Sequence, residues 1–199
     1  LFSGRELSKS FNNKNVLKNY SIDINKGEHI VLCGPNGSGK TTLLNIIAGR
    51  LDPDAGEIEK KKKLKCSYID FDYSELFPRM TGLENIKTYS GLTGIEIAFE
   101  RIERWCKFSS TFESTLNTKY EQCSTGMKFF LKLFCLTINY PELILFDEPI
   151  KSLDKENQLV FNRLLKEEFT HSTFVIVTHH NELFELESKK QIKLKVTKC

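Results

Sequence analysis

Residues 34–41 read GPNGSGKT and directly follow the apolar run Ile30-Val31-Leu32-Cys33. A strand, a glycine-rich loop and a helix opening at Thr41-Thr42-Leu43-Leu44 make a phosphate cradle. The glycines let successive backbone N–H groups turn inward, and the helix N-terminus adds partial positive charge at the same spot. Within Gly34, Pro35, Asn36, Gly37, Ser38, Gly39, Lys40, Thr41 and Thr42, Lys40 is placed to reach the β- and γ-phosphates of a nucleoside triphosphate. The Thr41 hydroxyl is placed to hold Mg2+. Such a loop needs an acidic partner for the metal. Asp147 supplies one after Leu143-Ile144-Leu145-Phe146, at the carboxyl end of a strand, where ligands gather in α/β sheets. Glu148 follows and can orient or deprotonate an attacking water. An ordinary glycine-rich βα turn and an acidic turn closing a strand are the bland alternatives. Their occurrence together favours the phosphate reading.

These residues must be held by strands and helices. Alternation over Tyr20-Ser21-Ile22-Asp23-Ile24 reads as a strand ending at Lys26-Gly27-Glu28, with a separate short strand at Val16-Leu17. Residues 57–59 and 64–69 read as a hairpin, with Lys60-Lys61-Lys62-Lys63 at its solvated end rather than on a lipid-facing patch. Thr81-Gly82-Leu83-Glu84 reads as a helix start. Apolar positions at Ile95, Ala98, Phe99, Ile102, Trp105 and Cys106 predict an amphipathic helix over 95–108. A third helix is expected over 126–139, its Phe and Leu residues serving as core, and a fourth over 158–169. The unbroken apolar runs 143–146 and 173–177 read as parallel strands covered on both faces.

The 199 residues carry 40% hydrophobic and 28% charged side chains and a net charge of +3. This balance fits one globular domain and gives no reason to expect nucleic acid as a partner. Cys33, Cys66, Cys106, Cys123, Cys135 and Cys199 form no C-x-x-C pair, which fits reduced thiols. The longest apolar run, 129–138, is interrupted by Lys132, so neither a transmembrane helix nor a leader peptide is expected.

With these motifs in order, the chain resembles the nucleotide-binding domain of ATP-binding-cassette (ABC) transporters over nearly its whole length. Residues 34–42 resemble the Walker A motif and 143–148 Walker B, with Glu148 as catalytic carboxylate. Ser124-Thr125-Gly126-Met127-Lys128 resembles the signature motif, Ser152-Leu153-Asp154 the D-loop, and Val177-Thr178-His179 the switch-histidine segment. Phe11 resembles the aromatic that underlies the adenine ring. The resemblance implies an α/β fold: a P-loop NTPase core with a mostly parallel sheet, an N-terminal antiparallel β-subdomain and a helical subdomain over about 76–138 carrying the signature, all one domain over 1–199. It implies ATP and Mg2+ as ligands, His179 as a catalytic residue, and Ser124 and Gly126 reaching the nucleotide of an opposite subunit. It also implies a homodimer or paired ATPase subunit, transmembrane permease subunits as partners, a place on the cytoplasmic face of the membrane, and no C-terminal regulatory domain.

Two departures stand out. The signature reads Cys123-Ser124-Thr125-Gly126-Met127, keeping Ser124 and Gly126, and its S-x-G-M-K form resembles a bacterial export-type subgroup. Asp72, six residues before Pro78, stands where the family's Q-loop glutamine is expected. It can touch Mg2+ or its water but cannot donate a hydrogen bond when ionised. Ile150 and Lys151 replace the small polar residues usual before the D-loop. The expected function is ATP hydrolysis powering translocation, in the export direction. The alternatives are a non-transport ABC ATPase and a weakly hydrolysing regulatory ATP-binding module.

Overall fold

Asn12 and Asn13, with φ of +48° and +62°, close the two-residue turn between β1 (Phe2–Phe11) and β2 (Lys14–Ile24). Two consecutive left-handed residues give the mirror-type turn whose twist matches a hairpin. The computed structural model describes residues 1–70, 76–151, 153–178 and 189–193. Val16-Leu17 and residues 20–24, expected as separate strands, are one strand. Asn19 at φ +48° interrupts the alternation that would have joined them. β1, interrupted likewise by Glu6 at φ +51° and by register shifts, has no clear period in sequence. β4 (Ala55–Lys60) pairs antiparallel with the other side of β1, giving the order β2-β1-β4.

The expected hairpin over 57–69 does not form. β4 belongs to this antiparallel sheet, whereas β5 (Cys66–Ile69) is the edge of a second, five-stranded sheet. The burial of Ser67, Tyr68 and Ile69 explains the difference, because a solvated hairpin arm would leave one face wet. Lys60 therefore ends β4, and Lys61 to Lys63 belong to the connection between sheets. Lys60 Nζ donates to the Ile47 carbonyl, and Lys61 pairs with Glu142.

The second sheet runs β5-β6-β7-β3-β8, with β6 Leu143–Asp147, β7 Thr173–Val177, β3 His29–Cys33 and β8 Lys189–Lys193. β6 with β7, β7 with β3 and β3 with β8 pair in parallel. Leu143 to Phe146 and Phe174 to Val177 are fully buried, as continuous apolar runs in a doubly covered sheet require. α1 (Lys40–Ala48) lies on β6, β7 and β2 and buries Leu43, Leu44, Ile46 and Ile47 in the core shared with Leu7, Leu17, Ile24, Leu145 and Val175. These elements, Leu1–Tyr68, Glu142–Glu148 and His171–Cys199, form one compact unit.

The other compact unit comprises Ile69–Pro141 and Pro149–Thr170 and is helical. α2 (Gly82–Thr93) opens on a capping box in which Thr81 and Glu84 satisfy each other's backbone N–H. α3 (Phe99–Phe108) begins later than residue 95. Gly94, at φ +65°, caps α2 on the Ser90 and Gly91 carbonyls, and the Ile95 N–H also returns to Ser90, which uses 95–98 as connector. α4 (Ser110–Thr115) and a 3-10 turn (Tyr120–Gln122) lead to α5 (Thr125–Leu136). α6 (Lys155–Glu167) starts ahead of residue 158 because Asp154 caps it, accepting from the Asn157 N–H at 2.8 Å. Trp105 is the hub of the core, with Phe134 edge-on at 5.0 Å and Phe112 at 5.3 Å. Ile150 is buried here too, which accounts for an apolar residue before the D-loop.

Buried ion pairs tie this unit together. The Arg101 and Glu168 side chains, each 3% exposed, meet at 2.9 Å, and Arg104 adds a second contact to Glu168 at 3.0 Å. Lys132, wholly buried on α5, reaches Asp70 at 2.6 Å. Among the described residues Cys33, Cys66, Cys106, Cys123 and Cys135 form no disulfide, and no helix is long and apolar enough to cross a membrane.

Candidate functional site

The loop after β3 is shaped by its glycines. Gly37 and Gly39 have φ of +76° and +89°, a region that side-chain-bearing residues enter at a cost. Gly39 is doubly constrained. A Cβ there would lie 2.8 Å from Leu17 Cδ2 and 2.9 Å from the Val16 carbonyl oxygen, so β2 presses on the loop and fixes where α1 begins. Gly39 is the N-cap of α1 and brings no side-chain cap, leaving the first-turn N–H groups to other acceptors. Ser38 is buried, and its hydroxyl has no hydrogen-bond partner among the described residues. An orphaned hydroxyl beside the open N-terminus of α1 suits an oxyanion ligand.

Lys40 is 6% exposed, and its ammonium donates to the carbonyls of Gly34 at 2.7 Å and Pro35 at 3.0 Å. Burial pushes its pKa down, and the nearby carboxylates of Glu148 and Asp147 oppose that shift. Parallel pairing sets Asp147 opposite Val177 and Val177 opposite Leu32. Asp147 therefore emerges at the same carboxyl edge of the sheet as the loop.

Thr41 Oγ1 donates to Asp147 Oδ1 at 3.2 Å. A hydroxyl that gives its proton to a carboxylate keeps its lone pairs for a cation. Thr41 and Asp147 are hard oxygen donors that fit Mg2+, which usually takes few protein ligands and completes its shell with phosphate and water. No group of three or more metal-ligating His, Cys, Asp or Glu side chains exists among the described residues.

Glu148 holds φ +53° and donates its backbone N–H to the Val177 carbonyl at 2.9 Å. A non-glycine residue in the left-handed region costs about 1–2 kcal/mol. Such outliers cluster at functional sites. Here the turn directs the Glu148 carboxylate off the end of β6, and its charge is felt at Lys40.

Phe11 ends β1, 46% exposed, with Lys9 Nζ 5.8 Å from its ring centre. Asp54 anchors this strand end, pairing with Lys9 at 2.6 Å and accepting from the Ser10 N–H at 2.8 Å. In the helical unit, Ser124 is exposed and caps α5, accepting from the Met127 N–H at 3.2 Å. Gly126 packs closely on Asn157, where an added Cβ would lie 2.9 Å from Nδ2. The signature segment therefore sits directly on the start of α6, beneath the Asp154 cap. Asp72, His179 and Ser152 lie outside the described residues.

Sequence reasoning missed Tyr68, whose hydroxyl donates to Asp147 Oδ2 at 3.1 Å. The available signal was a phenol inside a strand buried on both faces, which needs a polar partner. It also missed the packing role of Asn157, for which the sequence carries no signal.

A glycine-rich loop capping α1, a buried lysine and a strand-end carboxylate bonded to the first hydroxyl of that helix define a P-loop nucleoside-triphosphate-binding fold. The description of the ABC transporter family matches residues 17–151. The chain belongs to that family, as its nucleotide-binding domain. It is 33% identical over 198 residues to the lipoprotein-releasing system ATP-binding protein LolD of Bacteroides thetaiotaomicron, covering 90% of each chain. It is 36% identical over 162 residues to the molybdate/tungstate import ATP-binding protein WtpC of Pyrococcus abyssi, covering 75% of this chain and 46% of that protein. Its fold matches the dimeric post-hydrolysis structure of the ATP-binding cassette MJ0796 bound to ADP and Pi. The TM-score is 0.75 at 24% identity, over 100% of this chain and 97% of that one.

Proposed function

We propose that this chain is the ATP-hydrolysing subunit of a membrane exporter, acting as an ATP-closed dimer on the cytoplasmic face of the membrane. The observation that carries the reading is the Thr41–Asp147 contact. It joins the metal-holding hydroxyl of the loop to the strand-end carboxylate that sequence reasoning pairs with it. Bound Mg2+ supplies charge neutralisation on the β- and γ-phosphate oxygens. Residues 34–42 hold the phosphates through backbone N–H groups, the Ser38 hydroxyl and the Lys40 ammonium. Phe11 offers its exposed ring to the adenine. Thr41 and Asp147, with Asp72, serve the metal and its water. Glu148 orients the attacking water and takes its proton, and His179 assists it.

Ser124 and Gly126 serve the nucleotide held by the opposite subunit, so two chains complete two sites, and closure depends on ATP. Opening after hydrolysis is felt by permease subunits. The whole chain, 1–199, works as one cassette, with the signature on its helical part. Export is favoured by the match to LolD, a lipoprotein-releasing protein by name, which covers 90% of each chain. The importer WtpC has more than half its length outside the match.

The test of dimer closure is size-exclusion chromatography of Glu148→Gln with ATP and Mg2+. A shift from monomer to dimer that Ser124→Arg abolishes is expected. A monomer at saturating ATP contradicts the reading.

A further inference from the structure

Asp147 accepts a hydrogen bond on each of its two oxygens. Thr41 Oγ1 supplies one at 3.2 Å and Tyr68 supplies the other at 3.1 Å. Thr41 belongs to the phosphate-binding loop and its helix. Tyr68 stands on β5, is 7% exposed and packs in the core with Leu143 and Leu145. The Arg50 guanidinium stacks 4.1 Å from the centre of its ring. The ring is thus held on its edges by the core and on one face by a cation, so the phenol arrives from a fixed direction.

We propose that Tyr68 is a positioning residue for the metal, setting the rotamer and plane of the Asp147 carboxylate so that its free lone pairs meet Mg2+ or a metal-bound water. A carboxylate held by one donor swings about its Cβ–Cγ bond. Donors on both oxygens fix the plane, and of about four lone-pair sites roughly two stay available. Partners of metal-ligating groups commonly tune affinity in this way. The competing explanation is that Tyr68 is a core phenol whose hydroxyl takes the nearest acceptor and contributes only to folding.

The inference rests on the reading of this site as a Mg2+–nucleotide site, and the experiment separates the two. Wild type and Tyr68→Phe, which keeps the ring and removes one oxygen, are compared in three measurements. These are Mn2+ binding in the presence of ADP by electron paramagnetic resonance, binding of a fluorescent ADP in EDTA, and thermal melting without ligand. The expected result is a loss of about tenfold in Mn2+ affinity in the variant, with ADP binding in EDTA unchanged. In turnover, the half-saturating Mg2+ concentration rises more than kcat at saturating Mg2+ falls. Equal Mn2+ affinity in the two proteins overturns the proposal, whatever the melting temperature does. So does a loss of ADP binding of the same size with and without metal, which marks a structural role. A wild type that binds no Mn2+ with ADP overturns the underlying site reading as well.

Discussion

Gly37 and Gly39 offer a paired test of how the phosphate loop is built. Both hold left-handed backbone, at φ +76° and +89°. An added Cβ at Gly37 meets nothing within 4 Å, whereas at Gly39 it meets Leu17 Cδ2 at 2.8 Å and the Val16 carbonyl oxygen at 2.9 Å. Gly37→Ala therefore carries the left-handed penalty alone, about 1 kcal/mol. Gly39→Ala carries that penalty plus overpacking of about 1–3 kcal/mol. A methyl group of Leu17 can rotate aside, but a strand carbonyl moves only with β2, so the upper half of that range applies. With each kcal/mol worth about 2–4 °C in a chain of this size, Gly37→Ala should lower the melting temperature by roughly 2–4 °C and Gly39→Ala by roughly 6–16 °C. Scanning calorimetry of the ligand-free proteins, checked by urea midpoints, measures the difference. Equal shifts for the two variants would refute the contact of β2 with the loop and leave glycine conformation as the whole explanation.

The Lys132–Asp70 pair should behave asymmetrically. Asp70→Ala removes a carboxylate partner from a fully buried ammonium and should cost at most about 3–5 kcal/mol, while Lys132→Met leaves a carboxylate with solvent access and should cost less; a urea-denaturation double-mutant cycle should show part of the Asp70→Ala loss recovered when both are changed. Glu168 provides a pH signature. Burial alone would raise its pKa, but hydrogen bonds from Arg104 and Arg101 outweigh this and hold it below the usual glutamate range. A depressed carboxylate stabilises the fold above its unfolded pKa and loses that contribution as pH falls through the folded value, so stability should drop on acidification below about pH 4.5, and Glu168→Gln should be less stable at neutral pH with a flatter acid limb.

The site was more legible than the scaffold. Residues 34–41 and 143–148 announce themselves because phosphate binding demands glycine, lysine and a hydroxyl at fixed spacing, and because a buried parallel strand must be apolar until its last residue. The buried runs over 143–146 and 173–177 and the capped start of α2 were equally plain. The β-rich first third was harder. β1 and β2 bend at Glu6 and Asn19, and each left-handed residue flips the face that the next side chain presents, which erases period-2 alternation. The false hairpin over 57–69 arose because local sequence cannot say that two neighbouring strands join different sheets. The partners of Tyr68 and Asn157 were unreadable for a related reason: Asp147 and Gly126 are each about 30 or more positions away in sequence and brought near only by the fold, so the buried phenol announced a need for a partner but not which one.

The central claim is that Lys40 holds the triphosphate and Glu148 activates water against it. The direct measurement is single-turnover hydrolysis of γ-labelled ATP by wild type, Glu148→Gln and Lys40→Ala, with nucleotide binding measured on the same samples. The account predicts that Glu148→Gln binds ATP as well as wild type yet hydrolyses it at least about 100-fold more slowly, and that Lys40→Ala is impaired already in binding. Hydrolysis by Glu148→Gln at the wild-type rate would contradict it.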